Sequence, residues 1–303
     1  MRGVFIDANE TLAVIFERLT KPGDPEVGIH RDPDVTPDQL PSVLDGADIA
    51  IVDHTQLPTE VARKCAGLKH VVFLGTGARS YMNPEELSKL GIAVHLSRGY
   101  GDTAVAESTI ALMWAAARGI AQMDREMRAG NWLREDGIQL TGKTLGLIGF
   151  GGIAAEVARI ALGSGMRVIA WNRSPKSFAG VEFATLDKLL AESHVVSLHL
   201  LLNDETRGFL SAKRVATMKP GVILVNTARG ALIDEAAMMS ALKSGHIRHA
   251  GLDVFNIEPL PVDHPLTKLP NVTLSAHSAF RTPEASENLI EAAWQHCRRI
   301  ARG

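Results

Sequence analysis

The sequence predicts an α/β protein made of two doubly wound parallel-sheet domains. Three observations point there. Short apolar runs alternate with proline-opened or amphipathic helical segments along nearly the whole chain. The stretch 143–174, KTLGLIGFGGIAAEVARIALGSGMRVIAWNRS, reads as strand, glycine-rich turn, helix and second strand. With 303 residues, the chain is long enough for two domains of about 150 each, both able to bury a core.

Up to about residue 97, the runs at 4–6, 49–52, 71–74 and 92–96 read as strands, with helices at 10–19, 37–44, 58–65 and 84–90 between them. Several of these helices open on a proline, whose missing N–H is no loss in a first turn. Ligands of such sheets sit outside the carboxyl ends of the strands. That singles out His54, the loop Gly75, Thr76 and Gly77, and Ser97. Residues 97–102, SRGYGD, form a glycine-containing connector that reads as the first crossover between domains. The helix expected at 103–120 is apolar nearly all round at Ile110, Leu112, Met113 and Trp114. It is therefore either an internal core helix or a subunit interface.

Within 143–174, residues 144–148 read as a buried strand, Gly149, Gly151 and Ala154 occupy the turn, 154–162 form a helix and 167–171 a second strand. A unit of this kind sets a dinucleotide pyrophosphate on a helix N-terminus. The turn residues Gly149, Gly151, Gly152 and Ile153 are the expected cofactor contacts. An acidic residue about 20 positions past the turn would hold a ribose 2′-hydroxyl. Here stand Asn172, Arg173 and Ser174. Arg173 can pair with a 2′-phosphate and Ser174 can donate to it, so NADP(H) is preferred, with NAD(H) possible.

Four more strands follow at 195–200, 222–225, 250–254 and 272–275, with a helix at 234–244. Six strands in this rhythm predict the order 3-2-1-4-5-6. A last helix spans 283–301, with Thr282 at its N-cap, Pro283 in its first turn and one apolar stripe of Leu289, Ile290, Ala293, Trp294, Cys297 and Ile300. On that order the loops after the last three strands hold the reacting centre. They supply Asn226, Thr227, Ala228, Arg229 and Gly230, then Asp253, Asn256 and Glu258, then His277. Thr227 and Ala228 are further expected cofactor contacts. Arg229 can clamp a carboxylate with two parallel charged hydrogen bonds and polarise the adjacent carbonyl. His277 can protonate a developing alkoxide, and Glu258 beside it favours the imidazolium. Any one of the 11 histidines would alone be read as structural. The conjunction points to hydride transfer to a 2-oxo acid.

A formal charge of −2, from 32 basic and 34 acidic residues, gives no electrostatic reason to expect nucleic acid or an anionic membrane as partner. Cys65 and Cys297 make no disulfide framework and show no metal-ligand spacing, so no metal is expected and a reduced compartment is the default. The N-terminus lacks a secretory pattern. The longest apolar segment, 109–117, is well short of the roughly 18 residues of a membrane span. A cytoplasmic location is expected.

Four ordered blocks carry a resemblance: LTGKTLGLIGFGGIAAEVA, MKPGVILVNTARGALIDE, HAGLDVFNIEPLP and LPNVTLSAHSAF. The chain resembles the D-isomer-specific 2-hydroxyacid dehydrogenase family, in particular its glyoxylate and hydroxypyruvate reductase branch. The resemblance implies a Rossmann dinucleotide-binding domain, 98–278, inserted in a flavodoxin-like substrate domain of 1–97 and 279–303, with a hinge near Ser97 and Ser278. It implies a catalytic set of Arg229, Glu258 and His277. Backbone amides around Thr76 and Gly77 would receive the substrate carboxylate, with His54 nearby, and Asp253 would meet the nicotinamide amide. The helix after Thr103 would pack against a second subunit in a homodimer.

The sequence also departs from the family pattern. Ala154 replaces the third glycine, a change the fingerprint tolerates. Leu201 stands where a proline is expected, Asp102 where asparagine is frequent, and Ser278 where an aliphatic residue is usual. These loosen the inference about substrate. No regulatory domain follows the last helix, which weighs against an allosterically controlled phosphoglycerate dehydrogenase. The expected activity is thus an NADP(H)-dependent reductase of a small 2-oxo acid. A corepressor-like dinucleotide sensor on the same fold is the alternative, and formate oxidation is disfavoured because formate has no 2-oxo group.

Overall fold

A computed structural model describes residues 1–32 and 34–303. The chain divides into two compact units, Met1–Gly101 with Arg281–Gly303, and Asp102–Phe280.

The first unit runs β1 (Arg2–Phe5), α1 (Glu10–Leu19), β2 (Glu26–Ile29), α2 (Leu40–Val43), β3 (Ile49–Val52), α3 (Thr59–Ala62), β4 (His70–Phe73), α4 (Pro84–Lys89) and β5 (Ala93–Leu96). Its five strands are all parallel, in the order β2-β1-β3-β4-β5. This is the flavodoxin-like order. β2 is a fifth strand beyond the four read from the sequence. As an edge strand, EVGI alternates exposed and half-buried residues, so it carries no apolar run. β3 is buried at all four positions and reads clearly.

The C-terminal segment returns to this unit as α11 (Pro283–Arg302). Thr282 caps it, its hydroxyl accepting the Ala285 N–H at 3.1 Å. Trp294 stacks on Phe16 of α1 at 4.3 Å between ring centroids and donates to the Phe16 carbonyl at 3.1 Å. A large aromatic is thereby buried with its polar N–H satisfied. Alongside it, Arg298 binds Asp24 at 2.8 Å and holds that carboxyl below the usual carboxylate range.

The second unit runs α5 (Asp102–Arg118), α6 (Ile120–Arg128), β6 (Thr144–Ile148), α7 (Gly152–Gly163), β7 (Arg167–Trp171), β8 (Val181–Phe183), α8 (Leu186–Glu192), β9 (Val195–Leu198), α9 (Ala212–Thr217), β10 (Val222–Asn226), α10 (Glu235–Ser244), β11 (Ile247–Leu252) and β12 (Val272–Leu274). The helix expected to run to Ile120 ends at Arg118, because Gly119 takes a left-handed φ of 62° and α6 starts afresh.

Seven parallel strands are ordered β12-β11-β10-β9-β6-β7-β8. The six-strand reading needs correction here. The three-residue edge strand β8 was missed, so the strand at 195 is the fourth of this sheet and pairs directly with β6, Leu145 opposite Val195. With β8 counted, the first six strands follow 3-2-1-4-5-6 and β12 adds a seventh at the edge. β6, β9 and β10 are buried throughout. Apolar layers cover both faces of this sheet, which explains the continuous apolar runs of its central strands. Among the described residues, no helix is long and apolar enough to cross a membrane.

Candidate active site

β6 leads into a turn that two glycines make possible. Gly149 has φ 91°, and a Cβ there would lie 2.5 Å from the His199 carbonyl oxygen at the end of β9. A Cβ on Gly152 would run into the Asp102 carboxylate. Burial, and then the nearby charge of Glu156, push the Asp102 carboxyl above its usual range. α7 starts after Gly151 with no side-chain cap, so its first-turn N–H groups are open to an anion. A turn that leaves no room for a side chain at Gly149 or Gly152, followed by an uncapped helix, has the form that a dinucleotide pyrophosphate requires, and Gly149, Gly151, Gly152 and Ile153 all lie on it.

The three residues after β7 divide their work. Asn172 is taken up in bracing the turn: its Oδ1 accepts the Phe150 N–H at 3.1 Å and its Nδ2 donates to the Ser174 carbonyl at 2.9 Å. Arg173 is 80% exposed and ion-paired to Glu205 at 2.9 Å. Ser174 is exposed. Glu205 had no signal in the sequence, since it lies 32 positions from Arg173 and reads as an ordinary loop charge.

At the other end of the sheet, three loops are stitched together by buried polar groups. Asn226 is fully buried at the end of β10. Its Nδ2 donates to the Arg229 carbonyl at 2.9 Å and its Oδ1 accepts the Ala228 N–H at 3.0 Å, which shapes the loop that presents Arg229. Its own carbonyl accepts the Asp253 N–H at 3.0 Å, joining that loop to the one after β11. Thr227 meets the Thr109 hydroxyl of α5 at 2.8 Å. Gly230 allows the next loop to close in, since a Cβ there would lie 2.6 Å from the Asn256 nitrogen and nearer still to the Phe255 carbonyl.

Asp253 is fully buried. Its carboxylate accepts the Ser275 hydroxyl at 2.5 Å and the N–H groups of Ser278 and Ala279, each at 3.0 Å. The resemblance set this carboxylate against the nicotinamide amide. In the structure its oxygens are engaged in folding the segment after β12, where its backbone carbonyl also accepts the His277 N–H at 2.7 Å. Among the described residues, His277 is the one non-glycine residue with a positive φ, 49°. Such a conformation costs roughly 1–2 kcal/mol and persists where surrounding contacts impose it.

Glu258 joins the second and third loops. Its Oε1 accepts the Phe255 N–H at 2.8 Å, and its Oε2 accepts from His277 Nδ1 at 2.6 Å. With the carboxylate as acceptor, Nδ1 is the donor, and Nε2 is the ring nitrogen that this contact leaves unused. Phe255 is thus the hub: its backbone abuts Gly230 beside Arg229 and holds the carboxylate that orients His277. The side chains of His277 and Glu258 keep about a third of their surface exposed, 38% and 34%.

In the first unit, the buried Asp7 carboxylate shapes the loop that carries His54. It accepts the His54 and Thr55 N–H groups, each at 2.8 Å, and that of Asp53 at 2.9 Å. The N–H groups of Thr76 and Gly77 donate to no protein group among the described residues. Ser97 is buried, its hydroxyl without a hydrogen-bond partner among those residues. No group of three or more His, Cys, Asp or Glu among the described residues is placed to hold a metal ion.

Comparison with known proteins converges on one family. The pattern of the D-isomer specific 2-hydroxyacid dehydrogenase NAD binding domain matches residues 110–279. A glyoxylate reductase of Aeropyrum pernix is 42% identical over 227 residues, 68% of this chain and 68% of that one. A hydroxypyruvate reductase of Thermotoga maritima is 38% identical over 259 residues, covering 83% and 84%. Among solved structures, an acyclic imino acid reductase in complex with NADPH and D-Arg superposes with a TM-score of 0.85 at 32% identity, covering 96% of this chain and 94% of that one.

Proposed function

The chain belongs to the D-isomer specific 2-hydroxyacid dehydrogenase family, and on that premise we propose an NADPH-dependent reductase of a small 2-oxo acid such as glyoxylate or hydroxypyruvate. Membership makes it an oxidoreductase that uses a nicotinamide dinucleotide and acts on a small 2-hydroxy or 2-oxo acid. The Glu258–His277 contact at 2.6 Å carries the catalytic part of the proposal.

The residues divide the chemistry as follows. Arg229, whose Nη1 donates to the Ala228 carbonyl at 2.6 Å, sets its remaining N–H donors against the substrate carboxylate and polarises the neighbouring carbonyl. In the first unit, the N–H groups of Thr76 and Gly77 are donors suited to a carboxylate, and His54 on the adjoining loop is a further substrate contact in this reading. His277 gives its Nε2 proton to the oxygen as negative charge builds there, and Glu258 holds the ring in the orientation that makes this possible. Asp253 serves through the loop it folds. The bound dinucleotide supplies the hydride.

The preference for NADPH rests on residues 172–174. They offer no carboxylate to hold a ribose 2′-hydroxyl, whereas Arg173 is exposed and held only by a surface ion pair, which exchanges partners at little cost. The homodimer rests on apolar side chains left in solvent on and after α6, Ile120 at 53%, Met127 at 57% and Trp132 at 75% exposed. Steady-state rates with glyoxylate, hydroxypyruvate, pyruvate and phenylpyruvate, each with NADPH and NADH, test the function. Turnover of the first two with higher kcat/KM for NADPH is expected. Equal or better efficiency with NADH sinks the cofactor assignment, and tight dinucleotide binding with no turnover of any acid indicates a sensor instead.

A further inference from the structure

Arg173 is not a free cation waiting for a ligand. Its Nη1 lies 2.9 Å from Glu205 Oε2. Glu205 is presented by a firmly built turn after β9. Asn203 Oδ1 accepts the Glu205 N–H at 3.0 Å and the Thr206 N–H at 2.9 Å, while Thr206 Oγ1 accepts the Asn203 N–H at 2.8 Å and donates to the Leu201 carbonyl at 2.6 Å. None of these bonds uses the Glu205 side chain. The turn therefore fixes the backbone from which the carboxylate extends and does not depend on that carboxylate.

We propose that Glu205 is a specificity-determining residue of the cofactor site, competing with a ribose 2′-phosphate for the Arg173 guanidinium. This rests on the reading that Arg173 meets that phosphate. A dinucleotide without the phosphate leaves the Arg173–Glu205 pair intact. One that carries the phosphate must pull Arg173 from Glu205 and place a second anion beside that carboxylate. Glu205 thus holds the preference for NADPH below what Arg173 alone would give, and keeps NADH usable. Both side chains are largely exposed, so the handicap is modest, about 2- to 5-fold in affinity.

Equilibrium titration of the whole protein with NADPH, NADH, 2′,5′-ADP and 5′-AMP tests this without turnover. Glu205→Gln, which keeps shape and the turn, should tighten NADPH and 2′,5′-ADP by about 2- to 5-fold and leave NADH and 5′-AMP within experimental error. Glu205→Lys should tighten the phosphorylated pair further and steepen its salt dependence. In the double variant Arg173→Ala/Glu205→Gln the gain should vanish, because the contested group is gone. If Arg173→Ala weakens NADPH binding but Glu205→Gln leaves it unchanged or weakens it, the role of Glu205 is overturned and that of Arg173 stands. If Arg173→Ala leaves NADPH binding unchanged, both fall.

Discussion

Gly230→Ala isolates the contact on which the loops proposed to be catalytic depend. Gly230 has an ordinary backbone conformation, so an added methyl group acts by bulk alone. That methyl would lie 2.6 Å from the Asn256 nitrogen and closer to the Phe255 carbonyl, whereas ordinary contact begins at 3.4 Å. The neighbours are backbone and cannot rotate away, so the loop after β11 must retreat by about 1 Å relative to Arg229. Phe255 donates to Glu258 and Glu258 holds His277, so the retreat moves His277 away from Arg229, the two residues proposed to protonate and to clamp the substrate. Overpacking of this kind costs about 1–3 kcal/mol of stability, and a misplacement near 1 Å costs about 100-fold in rate. The turn at Gly149 and Gly152, proposed to hold the pyrophosphate, lies elsewhere, so cofactor affinity should be kept. The variant should therefore bind cofactor within twofold of the parent, lose several degrees of Tm and lose about two orders of magnitude in kcat. A kcat within threefold of the parent would falsify the linkage through Phe255.

Other outcomes follow from the same contacts. Glu258→Gln keeps an acceptor for the Phe255 N–H but removes the charge beside His277, and should lower kcat roughly 10- to 100-fold with little change in Tm; an unchanged kcat would show that orientation alone suffices. Burial lowers His199 and His249 from 6.5 to about 4. Their folded values lie below their unfolded ones, so their stability contribution is intact at pH 7 and is lost as pH falls from about 6.5 to about 4. Urea titrations at pH 7 and pH 5 should differ by up to about 2 kcal/mol for each imidazole, and His249→Gln should flatten that difference; a slope identical to the parent's would count against it. Replacing Trp132 by Asp should convert a dimer to a monomer in sedimentation equilibrium, and a parent protein already monomeric at micromolar concentration would remove the basis for the interface.

How much of this was legible in the sequence depends on burial. β3, β6, β9 and β10 are buried on both faces and announce themselves as unbroken apolar runs. β2 and β8 are short edges with partly exposed residues, and missing β8 displaced the strand at 195 by one place in the sheet. The break at Gly119 was hidden because helical residues resume at once on its far side.

At the site, the residue types at the strand ends were readable because parallel sheets deliver their loops to one edge. The work of Asn226 and Asp253 was not. Each is defined by bonds to backbone groups whose positions only the folded loops fix, and the Asp253 partners lie 22 to 26 positions away. Arg173 could be read as a cation, but its occupation by Glu205 could not, since the pair spans two separate strand ends.

His277 as the proton donor to a small 2-oxo acid is best tested in one paired experiment, turnover of glyoxylate and hydroxypyruvate with NADPH by the parent and by His277→Ala, beside the NADPH dissociation constant of each. The parent should reduce at least one acid, and the variant should lose about 100-fold or more in kcat with its NADPH affinity within twofold. Turnover retained by His277→Ala, or a loss traced entirely to weaker NADPH binding, would mean that the proton comes from elsewhere.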